Sequence, residues 1–100
     1  PAYELRTEWN ARDSDATLIL SVGAVLTGGT ALTARLGGRY RKPTLTLDLD
    51  ADPDCSVAVD WIRRVQPRTL NVAGPRESKS AGIYLKARRF LDAFFASLRE

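Results

Sequence analysis

The chain has no histidine, no methionine and a single cysteine, Cys55, among its 100 residues. Without histidine, neither a Ser-His-Asp nor a Cys-His nucleophilic pair can be assembled from it, and one Cys alone cannot make a zinc site. A lone Cys closes no internal disulfide, which fits a reducing compartment. Cys55 lies beside Asp52 and Asp54, whose charge opposes a thiolate, so it reads as a packed thiol. Long apolar runs are also missing. The stretch around Leu18–Leu20 falls well short of the roughly 18 residues a membrane helix needs, and no basic-then-apolar leader opens the chain. These absences predict a cytoplasmic protein that does not span a membrane. Because the sequence starts at Pro1, either an initiator residue or an upstream piece is expected to be gone.

What is present is 44% hydrophobic residues, enough for one core, so residues 1–100 are expected to form a single domain or the C-terminal part of one. The net charge of +3 permits an anionic partner without requiring one. Twelve of the fifteen basic residues are Arg, an excess that codon usage or bidentate anion recognition would equally produce. Arg63-Arg64, Arg88-Arg89 and Arg39-Arg41-Lys42 fall on different elements with no aromatic interleave, which argues for solvated faces and against a nucleic-acid groove. Asp48-x-Asp50-x-Asp52 opens like a calcium loop, but Pro53 stands where the turn Gly belongs and Val59 where the bidentate Glu belongs.

The periodicity alternates between helix and strand. Residues 2–12 suit a short helix with Ala2, Leu5 and Trp9 on one side and Glu8 and Arg12 four apart. Ala16–Val22 is almost wholly apolar over strand length, the mark of a strand covered on both faces. Residues 30–40 predict a second helix ending at Gly37-Gly38. Thr44–Leu49 alternates Leu and polar residues, as a peripheral strand does. Asp52-Pro53 predicts the opening of a third helix with Val57, Trp61, Ile62 and Val65 inward, stopped by Pro67. Thr69–Ala73 is the third strand, and Ile83, Ala87, Phe90, Leu91, Phe94 and Leu98 form the apolar face of the last helix. Right-handed crossovers between such strands give an α/β fold, a Rossmann-like parallel sheet of about three strands flanked by helices. The apolar first strand favours the order 2-1-3, and so thin a sheet is expected to be incomplete or partner-completed.

Two loops are candidates for chemistry. Leu26-Thr27-Gly28-Gly29-Thr30-Ala31-Leu32-Thr33 leads from the central strand into a helix, where small residues and exposed amide groups suit a phosphate or carboxylate and Thr27, Thr30 and Thr33 add hydroxyl donors, unless it is a plain turn with a Thr cap. Gly74-Pro75-Arg76-Glu77-Ser78 leaves the third strand with a guanidinium able to grip an anion bidentately, unless Arg76 merely pairs with a surface carboxylate. A third polar stretch, Arg6–Asp15, reads as a helix giving way to a strand.

The segments RTEWNARDSDATLIL (Arg6–Leu20), TGGTALTAR (Thr27–Arg35), KPTLTLDLD (Lys42–Asp50) and LNVAGPRES (Leu70–Ser78) together resemble the circularly permuted YpsA-related branch of the SLOG superfamily. Members are labelled molybdenum carriers, and relatives bind nucleotides or related phosphate compounds. The resemblance implies a Rossmann-like binding domain whose ligand-facing residues are Thr27, Gly28, Gly29 and Thr30 in one loop and Gly74, Arg76, Glu77 and Ser78 in the other. Thr7, Glu8, Asn10 and Asp13 match a polar block with no assigned role. It also implies a nucleotide or a molybdenum cofactor as the bound ligand. Distant members hydrolyse nucleoside monophosphates, but they use a Pro-Gly-Gly-x-Gly-Thr-x-x-Glu motif in which Thr33 here takes the place of Glu, leaving Glu8 or Glu77 as stand-ins. Family members open with a strand, loop and helix of the type GGQTGVDRAALDWA, which has no counterpart here. One wall of the pocket is therefore expected to be missing or supplied by another chain. A three-stranded sheet lacking a family strand also leaves an open edge and uncovered apolar helix surface, from which a homodimer is expected.

Overall fold

In the β-strand Ala16–Ser21 (β1) every residue is buried, because helices cover both of its faces. The computed structural model describes residues 2–23, 28–75 and 81–99. β1 lies at the centre of a parallel three-stranded sheet, flanked by Thr44–Asp48 (β2) and Leu70–Ala73 (β3) in the order β2-β1-β3. The 2-1-3 order expected from sequence is the one found.

Helix α1 (Ala2–Asp13) packs on α2 (Gly28–Arg39), and α2 packs on β1; α3 (Ser56–Val65) and α4 (Ile83–Leu98) pack on each other. Side chains alternate across a strand. Ala16, Leu18 and Leu20 therefore enter one core with Leu47, Val59, Trp61, Ile83, Phe90 and Phe94. Thr17, Ile19 and Ser21 face the α1/α2 layer. α4 anchors the apolar layer as its periodicity predicts, with Ile83, Phe90 and Phe94 buried and the Phe90 and Phe94 rings 6.3 Å apart.

Several boundaries differ from expectation. Helix α2 starts two residues early, at Gly28, and runs through Gly37-Gly38 to Arg39. It ends in a Schellman motif: Lys42 N–H donates to Gly37 C=O at 2.9 Å, Arg41 N–H donates to Gly38 C=O at 3.2 Å, and Arg41, not a glycine, takes the left-handed φ of 54°. Gly37 serves packing instead, since a Cβ there would overlap the Thr44 hydroxyl of β2 and force that side chain to turn away. Asp52-Pro53 does not open α3. Residues Leu49–Ala51 form a 3-10 turn that Asp52 closes in the left-handed region, and the helix begins at Ser56, whose N–H donates to Asp54 Oδ1 at 2.9 Å. Trp61 is buried and Ile62 and Val65 pack against the core as expected, whereas Val57 is exposed and Ala58 and Val59 are buried instead.

Helix α1 departs furthest from its expected face. Leu5 and Trp9 are about half exposed, at 47% and 48%, while Ala11 is buried. The expected Glu8–Arg12 pair gives way to others: Arg12 donates to Asp13 at 2.8 Å, and Glu8 accepts the Tyr40 hydroxyl at 2.6 Å. That bond, with burial adding to it, holds the Tyr40 phenol above its usual range. Lys42, expected on a solvated face, caps the end of α1 by donating to the carbonyls of Ser14 at 2.8 Å and Arg12 at 3.1 Å.

Candidate functional site

In open parallel sheets ligands collect beyond the C-terminal strand ends, where neighbouring strands send their connections to opposite faces. Here that point falls between β1 and β3. The chain leaving β1 returns through α2 to β2 on one side, and the chain leaving β2 crosses through α3 to β3 on the other.

The edge is held by β2. Asp48 Oδ1 accepts the Gly23 N–H at 2.8 Å and the Asp50 N–H at 3.0 Å, pinning the chain as it leaves β1. Ser21 Oγ lies within donating distance of the Leu47 and Gly23 carbonyls, at 3.2 and 3.3 Å. Gly23 itself adopts φ 88°. The opposite strand ends are tied by Asp15, whose Oδ2 accepts the N–H groups of Arg68 and Thr69, both at 2.9 Å. Those bonds, the one from Thr69 foremost, hold the Asp15 carboxyl below its usual range.

Of the residues singled out from sequence, Gly28 and Gly29 form the first turn of α2, whose N–H groups have no partner within the helix. Thr30 follows on the inward side and is buried. Gly74 sits where β3 ends, so close to β1 that a Cβ would come within 2.5 Å of the Leu20 carbonyl oxygen. No other residue fits there without moving the strand exit. The structure thus brings the start of α2 and the Gly74 turn to the C-terminal edge of adjacent strands. Thr27, Arg76, Glu77 and Ser78 lie outside the described residues.

Two clefts flank β3 at this edge. On the α4 side Leu20, Val72, Pro75, Ile83, Ala87 and Leu91 line an apolar cleft of about 340 Å³. On the α1/α2 side Thr7, Asn10, Thr33, Asn71 and Gly74 line a polar one of about 220 Å³. The polar block of α1 is divided between roles: Thr7 and Asn10 reach this cleft, Glu8 bonds Tyr40, and Asp13 pairs with Arg12. Asn71 does not stand out as a binding residue from sequence, and Thr33 stands out only as one of three hydroxyl donors in the first loop. The one signal for Asn71 is its polarity within an apolar strand. Cys55 lies away from the edge, between α3 and α4, with its Sγ 3.7 Å from Ser97 Oγ.

An α/β domain with a parallel sheet, a helix start and a glycine turn meeting at its switch point is of the Rossmann-like class. More narrowly, residues 1–95 match the model of the circularly permutated YpsA SLOG family, and the chain belongs to that family. The chain is also similar to the crystal structure of a "putative molybdenum carrier protein" from Syntrophus aciditrophicus SB, with 41% identity and a TM-score of 0.83. The match covers 92% of this chain and 60% of that one, so this chain spans about three-fifths of that protein's length. No curated protein matches. Among the described residues no helix is long and apolar enough to cross a membrane.

Proposed function

We propose that this chain binds a nucleotide-like or other phosphate- or oxyanion-bearing small molecule at the C-terminal edge of the sheet, between β1 and β3. The observation that carries the reading is that the α2 N-terminus and the Gly74 turn both lie at the C-terminal edge of adjacent strands, at the switch point. A helix start presents unpartnered N–H groups and a positive dipole end to an anion. In this reading Gly28, Gly29 and Thr30 cradle the anion, Thr27 and Ser78 add hydroxyls, Gly74 admits it, and Arg76 grips it bidentately with Glu77 alongside. The similar protein's name supports a molybdenum-bearing cargo as one such ligand. With no histidine, and Cys55 away from the edge, the donors available suit molybdate, or the phosphate of a pterin cofactor, better than a bare metal ion. Hydrolysis through Glu8 finds less support, because its carboxylate is taken up by the Tyr40 hydroxyl and lies 4.0 Å from the Arg39 guanidinium. The working compartment in this reading is the cytoplasm.

Thermal denaturation against a panel of nucleotides, inorganic phosphate and molybdate tests this. A ligand at 100 times its dissociation constant adds about 2.7 kcal/mol of stability, and an unmoved melting temperature throughout removes the reading. The open edge of β3, where Val72 is 40% exposed, favours a homodimer covering that strand. Sedimentation as a folded monomer at micromolar concentrations would contradict the dimer.

A further inference from the structure

The α1/α2 face of the sheet is lined with hydroxyls where a core would ordinarily carry hydrocarbon. Thr17, Ser21, Thr30 and Thr33 are all buried there. At its β3 margin this layer opens into the polar cleft of Thr7, Asn10, Thr33, Asn71 and Gly74, and none of its described lining residues carries a charge. Thr7 and Asn10, three apart, project from the same side of α1. Asn71 pairs in register with Thr17 and so faces the same layer, its Nδ2 3.4 Å from Thr17 Oγ1. The side-chain amides of Asn10, which is exposed, and of Asn71, which is half-buried, both line the cleft.

No described residue of the cleft supplies a counter-charge, so its lining suits an uncharged group better than an ion. Two amides, each offering donor and acceptor in one plane, instead complement an uncharged ring edge or hydroxylated sugar. The volume of about 220 Å³ is below the roughly 300 to 1,000 Å³ of complete small-molecule sites, so it suits part of a ligand. Gly74 belongs both to this cleft and to the strand exit at the switch point, so a molecule held by its anion at the edge could extend directly into it.

We propose that this cleft is the subsite for the uncharged, ring-bearing part of the ligand, the base or ribose of a nucleotide, with Asn10 and Asn71 as its specificity-determining side chains. The inference rests on the anion-binding reading above. Isothermal titration of the 100-residue chain and of its Asn71→Ala and Asn10→Ala variants with AMP, GMP, CMP, UMP, ribose 5-phosphate and inorganic phosphate tests it. The expected result is that at least one nucleoside monophosphate binds about ten-fold or more tighter than inorganic phosphate. Each variant should lose about 2- to 10-fold for that nucleotide, the worth of a neutral hydrogen bond, and nothing for phosphate. Ribose 5-phosphate binding as tightly as the best nucleotide identifies the sugar as the group held, whereas preference among the four nucleotides identifies the base. Asn10 is exposed on a helix, so Asn10→Ala keeps the test valid even if Asn71→Ala unfolds. Nucleotides binding no tighter than phosphate, with the variants indifferent, overturn the subsite and leave the anion reading standing. Failure of every compound to bind overturns both.

Discussion

On one side of β1, Ala16, Leu18 and Leu20 meet Val59, Trp61, Ile83, Phe90 and Phe94; on the other, Thr17 and Ser21 flank Ile19 beneath Thr30 and Thr33. Six consecutive residues thus serve two layers of different chemistry. The α3/α4 layer buries hydrocarbon, the main source of folding stability. The α1/α2 layer gives up part of that gain by burying hydroxyls, and it is the layer that opens into a polar cleft at the strand edge. Stability and recognition are divided between the two faces of one strand.

Substitutions on the apolar side should therefore be the most damaging. Phe94→Ala, at a fully buried ring, should cost about 3–5 kcal/mol in urea denaturation, and Leu18→Ala about 2–5 kcal/mol. Thr17→Val, next to Leu18 but facing the other layer, keeps its volume and loses one long hydrogen bond, so it should change stability by no more than about 1.5 kcal/mol. A Thr17→Val cost equal to that of Leu18→Ala would break the division between faces.

Two glycines sharpen it at the backbone. Gly74→Ala drives a Cβ against the Leu20 carbonyl and should cost about 1–3 kcal/mol by overpacking while also disturbing the binding edge. Gly38→Ala, in α2 with open space around it, should gain about 0.5–1 kcal/mol. Thermal melts of the two variants should move in opposite directions.

The smallest effect concerns Asp15. Its carboxyl is held below the unfolded value by the Thr69 and Arg68 amides, so its stabilisation is present above the unfolded pKa of about 3.9 and is lost as pH falls through the folded one. Asp15→Asn should lower the melting temperature at pH 7, and the gap from the parent should close below about pH 4. A gap independent of pH would show that the carboxylate's charge plays no part.

Much of this was legible in the residues. β1 announced its central place by an almost wholly apolar run, and α4 announced its face by its spacing. The α3 start was misread because Asp52-Pro53 has the chemistry of a helix opening, while Asp48 captures the chain into a 3-10 turn first. The helix end at Gly37-Gly38 was misread because Gly37 serves close packing against β2 and Arg41 supplies the left-handed residue. At the site, Gly28, Gly29 and Gly74 could be picked out as glycines next to strand ends. The polar cleft could not, since Thr7, Asn10, Thr33 and Asn71 come from three elements separated along the chain and meet only when the sheet assembles.

The central claim, an anion-bearing ligand held at the β1–β3 edge, is tested most directly by following backbone amide resonances while AMP or inorganic phosphate is added. The account predicts saturable shifts at Gly23, Gly28, Gly29, Thr30 and Gly74, with little change on the outer surface of α3 around Val57, Asp60 and Arg64. Shifts confined to that basic outer surface, or none at all, would contradict it.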